Sequence, residues 1–486
     1  MSDDHVLYDN PLIGRYSGRE MAERWGPQRK FATWRRLWLA LAEAEHELGL
    51  LSDDGKTPRI TKSQLLSLDK HLDDIDFENA EKHERRLRHD VMAHIHTLGD
   101  VCPEARDIVH LGATSCYVTD NTELILIRES LDQLCGQLAS LIDALSTFAQ
   151  SWRSEPTLGF THFQPAQLTT VGKRTTLWIY DFVMDLLELE RRRDELSFRG
   201  VKGTTGTQAS FLALFHGDHE KVRQLDRLVA RKMGFDRVIP VTGQTYSRKI
   251  DSQVLDGLSG LGTSAHKWGT DLRLLAHRQE IDEPFESNQV GSSAMAYKRN
   301  PMRAERMCSL SRFITGLPPM AAQTAATQWF ERTLDDSACR RLYIPQAFLA
   351  SDAVLRLALN IGRGLIVNRE VIAKGVRDAL PYMATENIMM AGVARGGDRQ
   401  ELHELIREHS HAVTASIKSG TGTSADLLIR LRKDAKFAGI DMDAIVEPSK
   451  FVGRAPEQVD EFVAEVIAPI RERYTGKLGL TGEVRV

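Results

Sequence analysis

The sequence predicts an all-α protein of three helical domains arranged around a long central helix bundle. Three observations predict it. Leu124, Ile127, Leu131, Leu134, Leu138, Leu141, Leu145 and Phe148 recur at alternating steps of three and four. That is a period of about 3.5 residues, kept over more than three heptads, and it marks a long helix supercoiled against others. Strand-like alternation is scarce and short. Glycines at Gly159, from Gly200 to Gly206 and at Gly291 fall where the helical pattern lapses, so polar loops separate long helices rather than βα units.

Taken in order, the first helix begins near Thr33 and ends at Gly49, with Leu37, Leu41, Ala44 and Leu48 on one face. The heptad helix runs from Asp120 to about Ser151. A three-domain monomer is not expected to hide such a stripe by itself, so a bundle shared between subunits is predicted. A second long helix is predicted from Pro165 to Leu196, with Arg191, Arg192 and Arg193 against the negative end of its dipole. Further helices are expected over 246–280, 302–331, 345–374 and 399–413, and a less regular tail after Arg473. Breaks after His110-Leu111-Gly112 and at Gly362 to Gly364 divide the chain into an N-terminal helical domain (1–111), a central long-helix domain (112–364) and a C-terminal helical domain (365–486).

Composition narrows the function. The 486 residues are 27% charged with a formal net charge of -4, so no global field draws the chain to nucleic acid or membrane, and neither is expected as a partner. An anionic ligand must be held by a local basic site. Cys102, Cys116, Cys135, Cys308 and Cys339 show no metal or disulfide spacing, and their odd number fits a reducing, cytoplasmic compartment. The first residues, with Asp3 and Asp4, lack the basic and apolar parts of a signal peptide. No uninterrupted apolar run approaches the roughly 20 residues of a membrane span.

The chemistry concentrates in Gly291-Ser292-Ser293-Ala294-Met295-Ala296-Tyr297-Lys298-Arg299-Asn300-Pro301. Mobile backbone, two hydroxyls, a cation and an amide precede the arginine-rich stretch from Arg303 to Arg312, a composition suited to a loop that closes over an anion. Gly291-Ser292, Met295, Lys298 and Asn300 resemble the signature of the fumarase/aspartase family of fumarate-releasing lyases. The ending Tyr297 to Pro301, followed by Met302 and Arg303, resembles its adenylosuccinate-cleaving branch of animal type. Ala296 departs from the pattern, which usually has proline there, and the loop should be floppier for it. The resemblance continues through Arg15-Tyr16, Arg35 to Trp38, Arg88 to His94, Thr114 to Asn121, Thr161 to Gln167, Gln244 to Lys249 and Gln328 to Arg341. It covers about the first 350 residues; the remainder matches more loosely.

The resemblance implies β-elimination of fumarate from a succinylamino nucleotide, adenylosuccinate or the succinylcarboxamide ribotide SAICAR. It also implies a homotetramer whose active sites each gather residues from three subunits. The proton removed is weakly acidic, so the carbanion must be held as an aci-carboxylate by donors aimed at its charge; Lys298 and Asn300 answer to that role. Ser292 corresponds to the family's base. The residues alone do not prefer it to Ser293. A serine works as a base only where amides and a cation stabilise its anion away from water. His162, in a turn ahead of a helix, resembles the acid that protonates the leaving nitrogen, and His89 a second active-site histidine.

Thr114, Ser115, Thr161 and Gln244 resemble carboxylate-binding donors, although Thr114 and Ser115 also suit simple helix capping. Arg15, Tyr16, Ser337 and Arg341 resemble the phosphate-binding set. Arg332 and Arg306 fall to the ribose, base or succinyl side. Any one of these arginines also suits a surface ion pair. His94 and His96 stand two apart, wrong for a helical zinc pair; Lys202 to Thr207 lacks the order of a phosphate loop, and Asp53-Asp54-Gly55 has no calcium-loop continuation. No metal or organic cofactor is expected, because every proton transfer has a protein candidate. The rival reading is another fumarate-releasing lyase, such as one acting on argininosuccinate, which would not need the phosphate-facing set.

Overall fold

The computed structural model describes residues 8–286 and 289–482. Its N-terminal part carries a π-helix, Leu12–Tyr16, then α1 (Arg19–Arg24), α2 (Pro27–Glu47), α3 (Lys62–Lys70), α4 (Phe77–Leu87) and α5 (Asp90–Val101). α2 starts earlier than Thr33 because Gly26 is extended and Pro27 stands at the first helical position with its φ already set. Thr61 and Gln64 form a capping box on α3, and Asp76 caps α4.

The central part holds α6 (Ser115–Ser151), β1 (Pro156–Thr161), β2 (Gln164–Thr170), α7 (Val171–Glu195), α8 (Ala209–Leu214), α9 (His219–Lys232) and α10 (Lys249–His277). β3 (Ile281–Asp282), α11 (Met302–Thr315), α12 (Pro318–Ala326), α13 (Asp335–Gly364) and β4 (Ile366–Val367) follow. The C-terminal part comprises α14 (Arg369–Met383), α15 (Thr385–Ala394), α16 (Arg399–Lys418), α17 (Ala425–Lys433), α18 (Met442–Ile445), α19 (Ala455–Phe462) and α20 (Ala468–Arg473). The all-α expectation holds.

Helices α6, α7, α10, α11 and α13 pack side by side as the bundle. Leu124, Ile127, Leu131, Leu134, Leu138, Leu141 and Leu145 are all fully buried within the protomer, and Phe148 is partly so. Burying each such side chain is worth about 1.5–3 kcal/mol. The expectation that this stripe needs another subunit is therefore overturned: α7 and α13 of the same chain cover it. The apolar stripe left outside lies on α7 instead, where Leu177, Tyr180, Met184 and Leu187 are 53%, 52%, 49% and 52% exposed.

Three other boundaries differ from expectation. The helix predicted from Pro165 begins only at Val171, because Gln164–Thr170 pairs antiparallel with Pro156–Thr161 and Thr170 caps α7 by accepting from the Lys173 amide. The stretch 302–331 breaks at Gly316-Leu317-Pro318, where Pro318 opens α12. The stretch predicted over 345–374 is a helix that starts at Asp335, passes through Pro345 and stops at Gly364. Leu365 then turns extended into β4, which pairs with β3 before α14 begins. α13 has the length and hydropathy of a membrane span, but 78% of that apolar window is buried as bundle core. A second, smaller core lies in the C-terminal part, around Ile388, Leu402, Leu427, Leu431 and Phe437.

Candidate active site

The ends of α5, α6 and α13 converge. His89 is the N-cap of α5, and its Nδ1 accepts from the Met92 amide at 3.3 Å. In the neutral tautomer that this bond requires, Nε2 carries the proton and faces Ser115 Oγ at 3.4 Å. Ser115 opens α6. Thr114 precedes it at the N-cap position, yet its hydroxyl makes no capping bond. Arg341, in the second turn of α13, donates to Asp90 Oδ2 at 2.9 Å. Burial alone would raise the Asp90 carboxyl, but Arg341, the Val91 amide and Lys30 hold it below its usual range. Lys30 itself is pushed down, by burial first and Arg341 second. Its ammonium rests over the rings of Phe31 and Trp34, 5.2 and 5.1 Å from their centroids.

Beside this group, Arg332 Nη1 donates to Gln244 Oε1 at 2.5 Å and lies 2.7 Å from Cys116 Sγ. The Gln244 backbone amide donates to Glu331 O at 2.9 Å. The two chains approach so closely that a Cβ on Gly243 would stand 2.4 Å from Glu331 O, so only glycine fits there. Burial, with Asp120 adding to it, pushes the Cys116 thiol up to about 12, which keeps it protonated and inert as a nucleophile.

Below these residues lies a buried charge network. Arg248 donates to both carboxylate oxygens of Asp120, at 3.1 Å each, and through Nε to Asp336 Oδ2 at 2.7 Å. The three side chains are no more than 2% exposed. Asp120 Oδ2 also accepts from the Tyr246 amide at 3.0 Å. Next to it, Arg340 pairs with Asp251 and Glu123, at 2.7 and 2.6 Å. The loop from Lys202 to Thr207 packs against Thr242, and its Lys202 ammonium is tied to Asp226 rather than offered to a ligand.

The signature loop is folded on itself. Gly291 lies so close to Lys298 that an added Cβ would stand 2.1 Å from Lys298 O. Asn300 Nδ2 donates to Gly291 O at 2.9 Å and brackets the loop's two ends. Ser292 Oγ accepts from the amides of Met295 at 3.1 Å and Ala294 at 3.4 Å, while the Lys298 side chain is exposed. Arg15 and Arg306 both stack near the Tyr16 ring, each 5.9 Å from its centroid.

His162 is in a turn, as expected, but the turn is the tip of the β1–β2 hairpin, and β2 stands between it and α7. Thr161 pairs with Gln164, and His162 and Phe163 take φ of +53° and +57°. Two successive left-handed non-glycine residues make a type I′ turn at a steric cost. His162 and Thr161 are exposed there.

One protomer thus gathers His89, Ser115, Gln244, Arg332 and Arg341, with Thr114 and Ser337 on the same helix ends. It gathers Arg15, Tyr16 and Arg306 separately. Among the described residues no hydrogen bond, ion pair or ring contact joins His89, Ser115, Gln244, Arg332, Arg341, Arg15 or Tyr16 to His162, to Ser292 or to Lys298, nor Arg15 or Tyr16 to Ser337 or Arg341. Asp90, Lys30, Cys116, Arg248, Asp120 and Asp336 are not among the expected site residues, although all but Lys30 stand inside the quoted motifs. His94 stacks on Phe31 at 3.7 Å and burial lowers it to about 4, as suits a core histidine. Among the described residues no cluster suits a metal ion. Two surface clefts of about 630 and 740 Å³ border Arg24 and Glu129 and are lined by none of the predicted site residues.

Residues 32–316 match the family described as Lyase, and residues 381–462 match the family described as Adenylosuccinate lyase C-terminus. The adenylosuccinate lyase of Saccharomyces cerevisiae is 53% identical over 464 residues, 95% of each chain. That of Schizosaccharomyces pombe is 51% identical over 97% of this chain and 98% of its own, and that of Schistosoma mansoni 44% identical over the full length of both. Two more distant likenesses, both at 20% identity, concern the fold alone. A 3-carboxy-cis,cis-muconate lactonizing enzyme from Pseudomonas putida superposes with a TM-score of 0.79 over 96% of this chain and 100% of its own. A fumarate lyase from Mesorhizobium sp. BNC1 gives 0.77 over 94% and 100%.

Proposed function

Because the chain belongs to the adenylosuccinate lyase family, we propose that it releases fumarate from adenylosuccinate to leave AMP, and from SAICAR to leave AICAR. Both substrates offer a 5'-phosphate at one end and a succinylamino group at the other, so one site serves both.

In this mechanism Ser292 Oγ removes the proton beside the succinyl carboxylate. The two backbone amides on that oxygen support the role, since donors of this kind favour an alkoxide. Lys298 and Asn300 stabilise the aci-carboxylate once the loop has closed; Asn300 must then exchange its bond to Gly291 for one to substrate. His162 protonates the departing nitrogen, and its backbone conformation supports the role because left-handed non-glycine pairs concentrate at functional turns. His89, Thr114, Ser115, Thr161 and Gln244 hold the carboxylates. The uncapped Thr114 hydroxyl is free for a ligand oxygen at a helix N-terminus. Arg15, Tyr16, Ser337 and Arg341 bind the phosphate, and Arg306 and Arg332 the middle of the nucleotide.

The separation of these groups within one protomer supports a homotetramer with sites shared between subunits, assembled through the exposed stripe on α7. We place the enzyme in the cytoplasm on its five free thiols, Cys102, Cys116, Cys135, Cys308 and Cys339. The observation that carries the function is the 53% identity over 95% of the chain. A spectrophotometric assay of fumarate release from adenylosuccinate tests it. Turnover of argininosuccinate or aspartate with none of adenylosuccinate would overturn it.

A further inference from the structure

We propose that Arg248 is a positioning residue for nucleotide binding: it sets the mutual register of three chain segments that face the substrate, without touching the substrate itself. The proposal rests on the function assigned above and concerns how its binding face is held.

One guanidinium meets all three segments. Through Asp120 it holds the second turn of α6, whose first residues are Ser115 and Cys116. Through Nε it holds Asp336 in the first turn of α13, one residue before Ser337 and five before Arg341. Arg248 itself ends the turn that begins at Gln244, and Asp120 clamps that turn a second time through the Tyr246 amide. The partners are 128 and 88 residues away in sequence, so no local helix propensity fixes their spacing. The fork geometry does: two parallel bonds to one carboxylate and a third, from Nε, to another leave the guanidinium little rotational freedom. Tyr246 stacks beneath it, with its ring centroid 4.6 Å from the guanidinium carbon.

Lysine has the charge but only one nitrogen, and cannot hold Asp120 in two places while reaching Asp336. Replacing two planar contacts by one point contact lets the Gln244 turn and the start of α13 shift relative to α6. A shift there moves Gln244 against Arg332, a pair now 2.5 Å apart.

The test is a double-mutant cycle read as kcat/KM for fumarate release from adenylosuccinate, with Arg248→Lys measured alone and in the Gln244→Ala background, and melting temperature recorded for each. Arg248→Lys is expected to lower kcat/KM by about tenfold or more, mainly through KM, the size of one charge-assisted bond. In the Gln244→Ala background the same change should cost no more than about threefold, because the group it positions is already gone. Equal factors in the two backgrounds, or kcat/KM near wild type in Arg248→Lys, would overturn the proposal. If Arg248→Lys does not fold, the isosteric Asp336→Asn, which keeps an acceptor for Nε, replaces it in the cycle under the same criteria. A wild-type enzyme inactive on adenylosuccinate would refute the assigned function instead, a distinct outcome.

Discussion

Arg341 and Asp90 form an ion pair of 2.9 Å at the meeting of α13 and α5, with the Lys30 ammonium as a further charge neighbour. In the proposed pose the substrate's phosphate meets Arg341 beside this pair. Arg341 is remote from the breaking C–N bond in the proposed pose. Each charge-assisted contact is worth about 1.5–3 kcal/mol, so Arg341→Ala is expected to lower kcat/KM on adenylosuccinate roughly 10- to 150-fold. On dephosphorylated succinyladenosine the effect should nearly vanish. Equal losses on both substrates would show that Arg341 does not read the phosphate.

Ser292→Ala and His162→Ala should each lower kcat by at least about 10²-fold with comparatively little change in binding, because each removes a proton-transfer partner. Near-wild-type turnover in either purified, assembled variant removes that residue from its role.

If sites are shared, the two dead variants should complement each other. The His162 hairpin and the Ser292 loop are separate groups in one protomer, so a site built from one subunit's His162 and another's Ser292 is intact in part of any mixed population. Co-refolding the Ser292→Ala and His162→Ala chains should restore a measurable fraction of wild-type fumarate release. No recovery from verified mixed oligomers would mean that both residues of a site come from one chain.

What was legible in the sequence followed from periodicity and motif. The α6 heptads gave the bundle because a 3.5-residue repeat has one structural meaning. The same repeat misled about assembly, since it says that a stripe is buried and not by whom. Gln164–Thr170 was misread because Pro165 suits a helix start as well as a strand edge; the pair Thr169-Thr170, β-branched and ending in a capping residue, was the better sign. Arg248 with Asp120 and Asp336 was beyond reach, as nothing in spacing pairs charges so far apart. The segments bearing Ser292 and His162 were found, but their chemical roles came from family likeness.

Met184→Glu places a charge in the exposed stripe on α7, flanked by Tyr180 and Leu187. Light scattering should show loss of the oligomer, and fumarate release should fall with it. An intact, active tetramer would move the interface elsewhere.

Asp185, on the inner side of α7, has its Oδ2 buried without a partner. Burial raises its pKa to about 7, above an unfolded value of about 3.9. Between those values the unfolded chain has released the proton and the folded chain has not, so this group lowers stability as pH rises from about 4 to about 7, and its penalty is constant above. Asp185→Asn should therefore melt higher than wild type at pH 8, with a gap that shrinks toward pH 5. A gap that is flat or opposite in slope would show that Asp185 is already ionised in the fold.

The covered stripe of α6 also separates folding from assembly. Because each chain buries its heptad leucines against its own α7 and α13, a protomer can reach a folded state before it meets another copy, and in the proposed assembly association would add the α7 face afterwards. Mass action then acts on quaternary structure alone. Dilution should release helical, soluble protomers that have lost activity, and concentrating them again should bring it back without a refolding lag.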